Sequence, residues 1–263
     1  MPESKKNILT IITPSLNCVR NISHTIISTS ILRESIATHL VVDSDSTDGT
    51  LDICELYGLE VIYVPPGNMY SAINFGISKS HSDWITYING DDILFPKAIM
   101  DALAFDSGFD VLYGDIDFID NEGRFLYHWS SAKPVDFRGL FASGVMPFSQ
   151  PGTILKRSLW EQLGGFNEEF KYSSDFDFFL RAFMSGAQFF KYGQSSLAAF
   201  RLHQTQISQT YREVMFCEVR TALIQSSLTV GNLEMMWAMA RMRVRNIGSY
   251  IIRYLRYLHL RRV

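Results

Sequence analysis

Two adjacent carboxylates, Asp91 and Asp92, close the stretch Trp84-Ile85-Thr86-Tyr87-Ile88-Asn89-Gly90-Asp91-Asp92. Its first five residues are β-branched, aromatic or apolar, the composition of a buried strand. Asn89-Gly90 then breaks the strand with turn residues. The acids therefore stand at a strand's carboxyl end, where open α/β sheets bind their ligands. Hard divalent cations prefer oxygen ligands, so such an end suits Mg²⁺ or Mn²⁺. The plainer alternative is a solvated acidic turn. Four further polar sets stand at predicted element ends. They are Thr13-Pro14-Ser15, Asp43 with the Ser/Thr/Asp-rich stretch to Thr50, Asp175 with Asp177, and His203.

The elements that must position these groups follow from apolar runs and their breaks. Ile8 to Thr13, Leu40 to Val42, Leu59 to Val64 and Trp84 to Ile88 read as buried strands, the first stopped by Pro14 and Ser15. Between them, Ile22, Ile26, Ile27 and Ile31 fall at helical spacing, and Leu51–Tyr57 and Met69–Ser80 read as helices. This alternation predicts parallel βαβ units with right-handed crossovers. Neither a G-x-G-x-x-G nor a G-x-x-x-x-G-K-[ST] loop is present, which excludes the usual dinucleotide and P-loop sites. Beyond Asp92 the rhythm changes. Helices are expected over 96–105, 157–163 (ended by Gly164-Gly165) and 174–184. Strands are expected over 110–115, 153–155, 189–190 and 198–200, and residues 116–129 read as a hairpin around Asp120-Asn121-Glu122-Gly123.

Composition narrows the class. With 263 residues, 47% apolar and 19% charged, the chain can bury a large core. A net charge of −3 argues against a nucleic-acid partner. Three dispersed cysteines (Cys18, Cys54, Cys217) give neither a disulfide framework nor zinc spacing, so a reduced, cytoplasmic setting is expected. The first residues lack the apolar run of a signal peptide, and no run is long enough to span a bilayer. Charge is uneven. Leu233 to Val263 carries seven arginines against Glu234, a local +6, which leaves −9 for the remainder of a total of −3.

Taken in order, the motifs resemble those of family 2 glycosyltransferases with the GT-A fold. The matching stretches are Ile12-Thr13-Pro14-Ser15-Leu16-Asn17, Val42 to Thr50, Met69 to Gly76, Asn89-Gly90-Asp91-Asp92, Gly164 to Glu168, Ser174-Asp175-Phe176-Asp177 and Arg201-Leu202-His203. The resemblance implies an α/β chain with a mostly parallel central sheet flanked by helices and a smaller mixed second half. It implies a catalytic domain over 1–210, with a nucleotide-binding half (about 1–115) and an acceptor half (about 116–210); the remainder, 211–263, reads by its own pattern as a helical, amphipathic and basic C-terminal extension. Thr13, Pro14, Ser15, Asp43, Asn74, Asn89, Gly90, Asp91 and Asp92 would bind the nucleotide-sugar donor. Asp91 and His203 would hold Mg²⁺ or Mn²⁺, and Asp175 would be the base of an inverting transfer. The acceptor would be a glycan or lipid-linked hydroxyl in surface-polysaccharide synthesis, and a UDP-sugar the favoured donor.

Chemistry supports this division of labour. A diphosphate leaving group needs charge neutralisation, and the acceptor hydroxyl needs a base. A helix N-terminus would lower the pKa of Asp175, whereas burial beside Phe176 and Phe178 would raise it. Asp92 has two readings, metal ligand or support, and Asp177 reads as support. The chain departs from the family pattern at Asn89 (a lost carboxylate), at Pro65-Pro66-Gly67-Asn68 and at Ser174. A non-catalytic nucleotide or carbohydrate-binding module and a sugar-phosphate nucleotidylyltransferase remain the competing readings.

On a helical wheel from Leu233 to Leu260, Leu233, Met236, Trp237, Val244, Ile247, Ile251, Leu255 and Leu258 share one side, with Arg241, Arg245, Arg253 and Arg256 opposite. Two arrangements satisfy this pattern. The helix can lie on an anionic membrane on the inner face of the cell, or it can pack its apolar side on the domain with the arginines in water. Gly248 is the expected hinge.

Overall fold

The computed structural model describes residues 7–105, 108–203 and 210–260. The four expected strands are present as β1 (Leu9–Ser15), β2 (Ala37–Asp43), β3 (Glu60–Tyr63) and β4 (Trp84–Tyr87). They pair in parallel in the spatial order β3-β2-β1-β4. The sheet continues through β9 (Thr153–Lys156), antiparallel to both of its neighbours, to β6 (Val111–Gly114) and β10 (Phe189–Tyr192). β1 runs through Pro14 to Ser15 instead of stopping at Thr13. The amide of Ile88 bonds the carbonyl of Ile12, which fixes that edge of β1 as facing β4. Pro14 lies two residues on and faces the same way, beyond the last β4 pairing, so its missing N–H breaks no ladder bond.

The helices α3 (Thr50–Leu56), α4 (Met69–Ser78), α5 (Pro96–Leu103), α7 (Arg157–Gln162) and α8 (Ser174–Met184) lie where periodicity places them. The helix expected around Ile22–Ile31 is broken at Thr29 into α1 (Ile22–Ser28) and α2 (Ser30–Ser35). That break buries Ile22 and Ile26 but leaves Ile27 and Ile31 exposed.

A second, four-stranded sheet has the order β5-β11-β7-β8. It contains β5 (Ile93–Leu94), β11 (Ala198–Arg201) and the expected hairpin, β7 (Ile116–Ile119) with β8 (Phe125–Trp129). β5 was not foreseen, because a two-residue strand carries no periodicity. It matters most for the site, since it pairs antiparallel with β11 in the register Ile93↔Ala199. Each step back from Ile93 is a step forward from Ala199, so Asp91 comes opposite Arg201.

The segment after residue 210 packs against the preceding part of the chain. Its helices are α9 (Arg212–Ser226), α10 (Asn232–Arg245) and α11 (Ile247–Leu260). Ala222, Ala238 and Met242 join the same buried cluster as Tyr70, Tyr87 and Phe176. α10 lies on α6 (Phe137–Ala142), where a Cβ on Gly139 would sit 2.7 Å from that of Ala238 and 2.9 Å from the Glu234 carbonyl. The wheel sorts the tail residues into the two sides expected, but their orientation is the reverse of simple packing. Arg241 and Arg245 turn inward to the fully buried Asp136, the latter with Nη2 at 3.5 Å. Arg253 lies over the Tyr127 ring at 6.0 Å. Leu233, Met236, Trp237, Val244, Ile247, Ile251 and Leu255 face solvent, 53–71% exposed. Arg256 and Leu258 lie outside the residues whose side chains are described. The break in the tail falls at Asn246 rather than Gly248. Asn246 is buried and exchanges hydrogen bonds with the Ser130 backbone, accepting at 2.7 Å and donating at 2.9 Å.

Candidate active site

The β5–β11 pairing brings the Asp91 carboxylate to 2.8 Å from Nε2 of His203, across 112 residues of sequence. Both side chains remain about one quarter exposed. One oxygen and one nitrogen donor, part-open to solvent, fit a divalent cation whose remaining positions a diphosphate and water would fill. Among the described residues no third His, Cys, Asp or Glu joins them.

The loop that presents Asp91 is held from below by Arg201. Its guanidinium is fully buried. Nε donates to the Asp91 carbonyl at 2.7 Å, and Nη1 donates to the carbonyls of Asp120 and Asn121 at 2.9 and 3.0 Å. The Arg201 amide donates to Asp92 Oδ1 at 2.8 Å, and Thr25 Oγ1 donates to the Asp92 carbonyl at 2.7 Å. Asp92 therefore points into the protein. Burial, with the Asp91 charge beside it, holds its carboxyl well above the usual range. Asn89 donates weakly to Asp92 at 3.4 Å. Gly90 is required by close approach, since a Cβ there would meet the Cys18 sulfur at 2.8 Å.

Three side chains expected at the donor site, two at the ends of β1 and β2 and one on α4, are engaged within the fold. Asp43 is completely buried and accepts from Ser15 Oγ (2.8 Å), the Ser46 amide (2.8 Å) and Ser46 Oγ (2.6 Å). It braces the β2–α3 turn. The outward residues of that strand end are Ser44 and Asp45, the latter left-handed at φ 72°. Thr13 turns its hydroxyl inward to His39 Nε2 at 2.8 Å, and burial pushes that imidazole down to about 3, so it stays neutral. Asn74 is likewise spent on the fold. Its amide nitrogen donates to Phe166 O and Glu168 Oε1, while its oxygen accepts from Trp160 Nε1 and the Phe166 amide.

Asp175 opens α8. Its Oδ1 accepts from the Tyr70 hydroxyl at 3.1 Å and from the Phe176 amide at 2.8 Å. Of the two opposed effects expected there, burial prevails and raises its carboxyl, while those two donors pull it back. Tyr87, on β4 just ahead of Asp91, packs edge-on to Phe166 at 5.5 Å, and Tyr70 lies 5.6 Å from the same ring. The C-terminal end of β4 thus carries Asp91 on one side and adjoins the Tyr70–Asp175 pair on the other. Asp177 is buried and paired with Arg181 at 2.8 Å, a supporting place.

Four contributors were not read from sequence: Arg201, Tyr70, Gln150 and Glu218. Arg201 and Tyr70 lie inside motifs that were noted, and an Arg between apolar strand residues is itself a signal of a paired buried charge. Gln150 donates to the Tyr87 carbonyl at 2.6 Å from a 3₁₀ turn that has no periodic signature. Glu218 lies on α9, far from every motif.

Comparison with known proteins gives a consistent picture. A sequence model described as "Glycosyl transferase family 2" matches residues 10–164, more than half of the chain. A Mycobacterium tuberculosis protein described as a "PGL/p-HBAD biosynthesis glycosyltransferase" is 26% identical over 174 residues, 61% of this chain and 64% of that protein. A glycosyltransferase of Rickettsia typhi is 24% identical over 182 residues, 65% of this chain and 56% of that protein. The chain thus matches less than two thirds of either relative's length. Among solved structures, S. aureus TarS in complex with UDP-GlcNAc superposes with a TM-score of 0.64 at 18% identity, over 91% of this chain and 72% of that one. Glucosyl-3-phosphoglycerate synthase from M. tuberculosis, in complex with Mn²⁺, UDP and glucosyl-3-phosphoglycerate, does so with a TM-score of 0.60 at 19% identity, over 86% of this chain and 82% of that one. These likenesses establish the fold as GT-A.

Proposed function

The chain belongs to glycosyl transferase family 2, and on that premise we propose that it moves a sugar, with inversion, from a nucleotide-sugar to a hydroxyl of a glycan or lipid-linked acceptor. A UDP-sugar is the favoured donor, in keeping with the UDP and UDP-GlcNAc bound by structural neighbours. The observation that carries the reading is the Asp91–His203 pair at the end of β4. Asp91 and His203 would hold Mg²⁺ or Mn²⁺, which supplies charge neutralisation for the departing diphosphate. Pro14 and the Ser44-Asp45 turn form the outward ends of β1 and β2 and would receive the nucleoside. Asp175 would take the proton of the acceptor hydroxyl as its oxygen bonds the anomeric carbon and the bond to the diphosphate breaks. Tyr70 keeps that carboxylate aimed. The test is a panel of UDP-, GDP- and dTDP-sugars assayed for nucleotide release with and without Mn²⁺ or Mg²⁺. We expect metal-dependent release from a UDP-sugar, abolished in Asp91→Ala together with metal-dependent donor binding. Silence across the whole panel would overturn the reading.

The tail bears on where this occurs. No described helix is long and apolar enough to cross a membrane. An outward apolar stripe within the one strongly cationic segment of an acidic protein suits the surface of an anionic bilayer. That fits a cytoplasmic enzyme held peripherally beside a lipid-linked acceptor. Trp237→Glu with Ile251→Glu changes only exposed residues. The pair is expected to reduce co-sedimentation with phosphatidylserine-containing vesicles while leaving nucleotide release unchanged. Undiminished sedimentation would remove the membrane assignment.

A further inference from the structure

The loop that leads into Asp175 is gripped from two sides by residues far from it in sequence. On one side, Glu218 of α9 accepts hydrogen bonds from three successive backbone amides, Lys171 at 2.7 Å, Tyr172 at 3.0 Å and Ser173 at 2.8 Å. A carboxylate in such a row of N–H groups is a strong, directional anchor. The rings of Tyr172 and Tyr211, stacked at 4.4 Å and 9°, fasten the same loop to the start of α9. Ala222, one turn further along α9, is buried in the main core, so the anchor stands on fixed ground.

On the other side, α4 provides Tyr70, whose hydroxyl donates to Asp175 Oδ1 and, at 3.4 Å, to the Tyr172 carbonyl. Tyr70 is itself buried. Asn68 caps its helix by accepting from the Tyr70 amide at 2.9 Å, and reaches across to the carbonyls of Glu168 and Phe170 at 2.7 and 2.9 Å. The base loop is therefore strung between the N-terminus of α4 and the middle of α9.

We propose that Glu218 and Tyr70 are a matched pair of positioning residues that fix Asp175 for proton abstraction, so that α9 is part of the catalytic apparatus. This rests on the assignment of Asp175 as the base. The two residues act on its charge in opposite senses. Tyr70 donates to the carboxylate and favours the charged form; Glu218 adds a negative charge nearby and disfavours it. The titratable groups facing Asp175 are Tyr70 from α4, Tyr87 from β4 and Glu218 from α9, with Asp177 of its own helix paired to Arg181. Burial keeps Tyr70 and Tyr87 protonated, well above the ordinary tyrosine range, and Glu218 is the group on another element that pushes the Asp175 carboxyl up.

The test is a pH–rate profile for nucleotide release from the UDP-sugar selected by the panel, with water as acceptor, for Tyr70→Phe and Glu218→Gln. Loss of alignment is expected to lower kcat by roughly ten- to a hundredfold in each, with the KM for donor within about twofold of wild type because neither touches the Asp91–His203 end. The acid limb should move to higher pH in Tyr70→Phe, which loses a donor to the carboxylate. It should move to lower pH in Glu218→Gln, which loses a negative charge. A thermal melt accompanies each, and Glu218→Asp is expected to restore the wild-type limb more nearly than Gln. Limbs that stay in place or move together, in variants that bind donor normally, overturn the proposal. Full activity in Asp175→Asn would instead show that the base assignment itself is at fault.

Discussion

Asp175→Asn is expected to lower transfer by roughly two to four orders of magnitude while leaving donor binding at the wild-type level. The substitution keeps the shape of the side chain and its acceptor oxygen for Tyr70 and Phe176, so α8 keeps its start. What it removes is the ability to take a proton. Burial raises the Asp175 carboxyl, so wild-type activity should fall as pH drops through a value above the ordinary aspartate range. That limb should be absent from the residual activity of the variant. Calorimetric titration with UDP and metal, alongside steady-state rates, separates the two effects. Asp91→Ala should show the converse, a loss of metal-dependent binding at the other end of the site. Equal loss of binding in both variants would mean that the division of roles is wrong, and turnover undiminished in Asp175→Asn would leave the chain without an assigned base.

The second large effect is expected from Arg201→Met. The methionine fills the aliphatic volume but leaves the carbonyls of Asp91 and Asn121 without their guanidinium donor, takes one of two donors from the Asp120 carbonyl, and removes the positive charge beside Asp92. Breaking a buried charged network in this way costs about 3–5 kcal/mol. For a chain of this size that is a fall in Tm of roughly 5–10 °C. Arg201→Lys should recover little, because one ammonium cannot reproduce the fork that spans the Asp91 and Asp120-Asn121 loops. Thermal denaturation with and without UDP and Mn²⁺ reads both consequences, since the Asp91 loop should loosen as well. A change in stability below about 1 kcal/mol, the size of an exposed ion pair, would show that the guanidinium does not hold the two loops together.

The contrast between Asp91 and Asp43 shows what the sequence could tell and where it stopped. Both are aspartates at the ends of predicted parallel strands, and both strands are present. The end of a strand in a parallel sheet is buried on both faces, so its residues do not alternate in polarity and nothing marks which way a side chain turns. Asp91 faces out toward His203; Asp43 turns in toward Ser15 and Ser46. Asn74 presents the same difficulty on a helix. Its partners Phe166 and Glu168 lie more than 90 residues away, and no local pattern announces them. In the tail, periodicity sorted arginine from apolar residue correctly. It could not say which side meets the domain, because that is decided by Asp136 and by the small-residue seat of Gly139 against Ala238. The local periods, 2 and 3.6, were legible; the pairings made across a hundred residues were not.

The antiparallel register of β5 on β11 has a consequence in time as well as in space. Asp91 and His203 are 112 residues apart, so at synthesis rates of about 5–20 residues per second they leave the ribosome roughly 6–22 s apart. The parallel half can dock its helices during that interval, but the proposed cation seat stays half-built until the residues after β11 arrive, and Glu218 follows later still. On the proposed reading, the last part of the site to assemble is the one that lies furthest from the stretch matched by the family model.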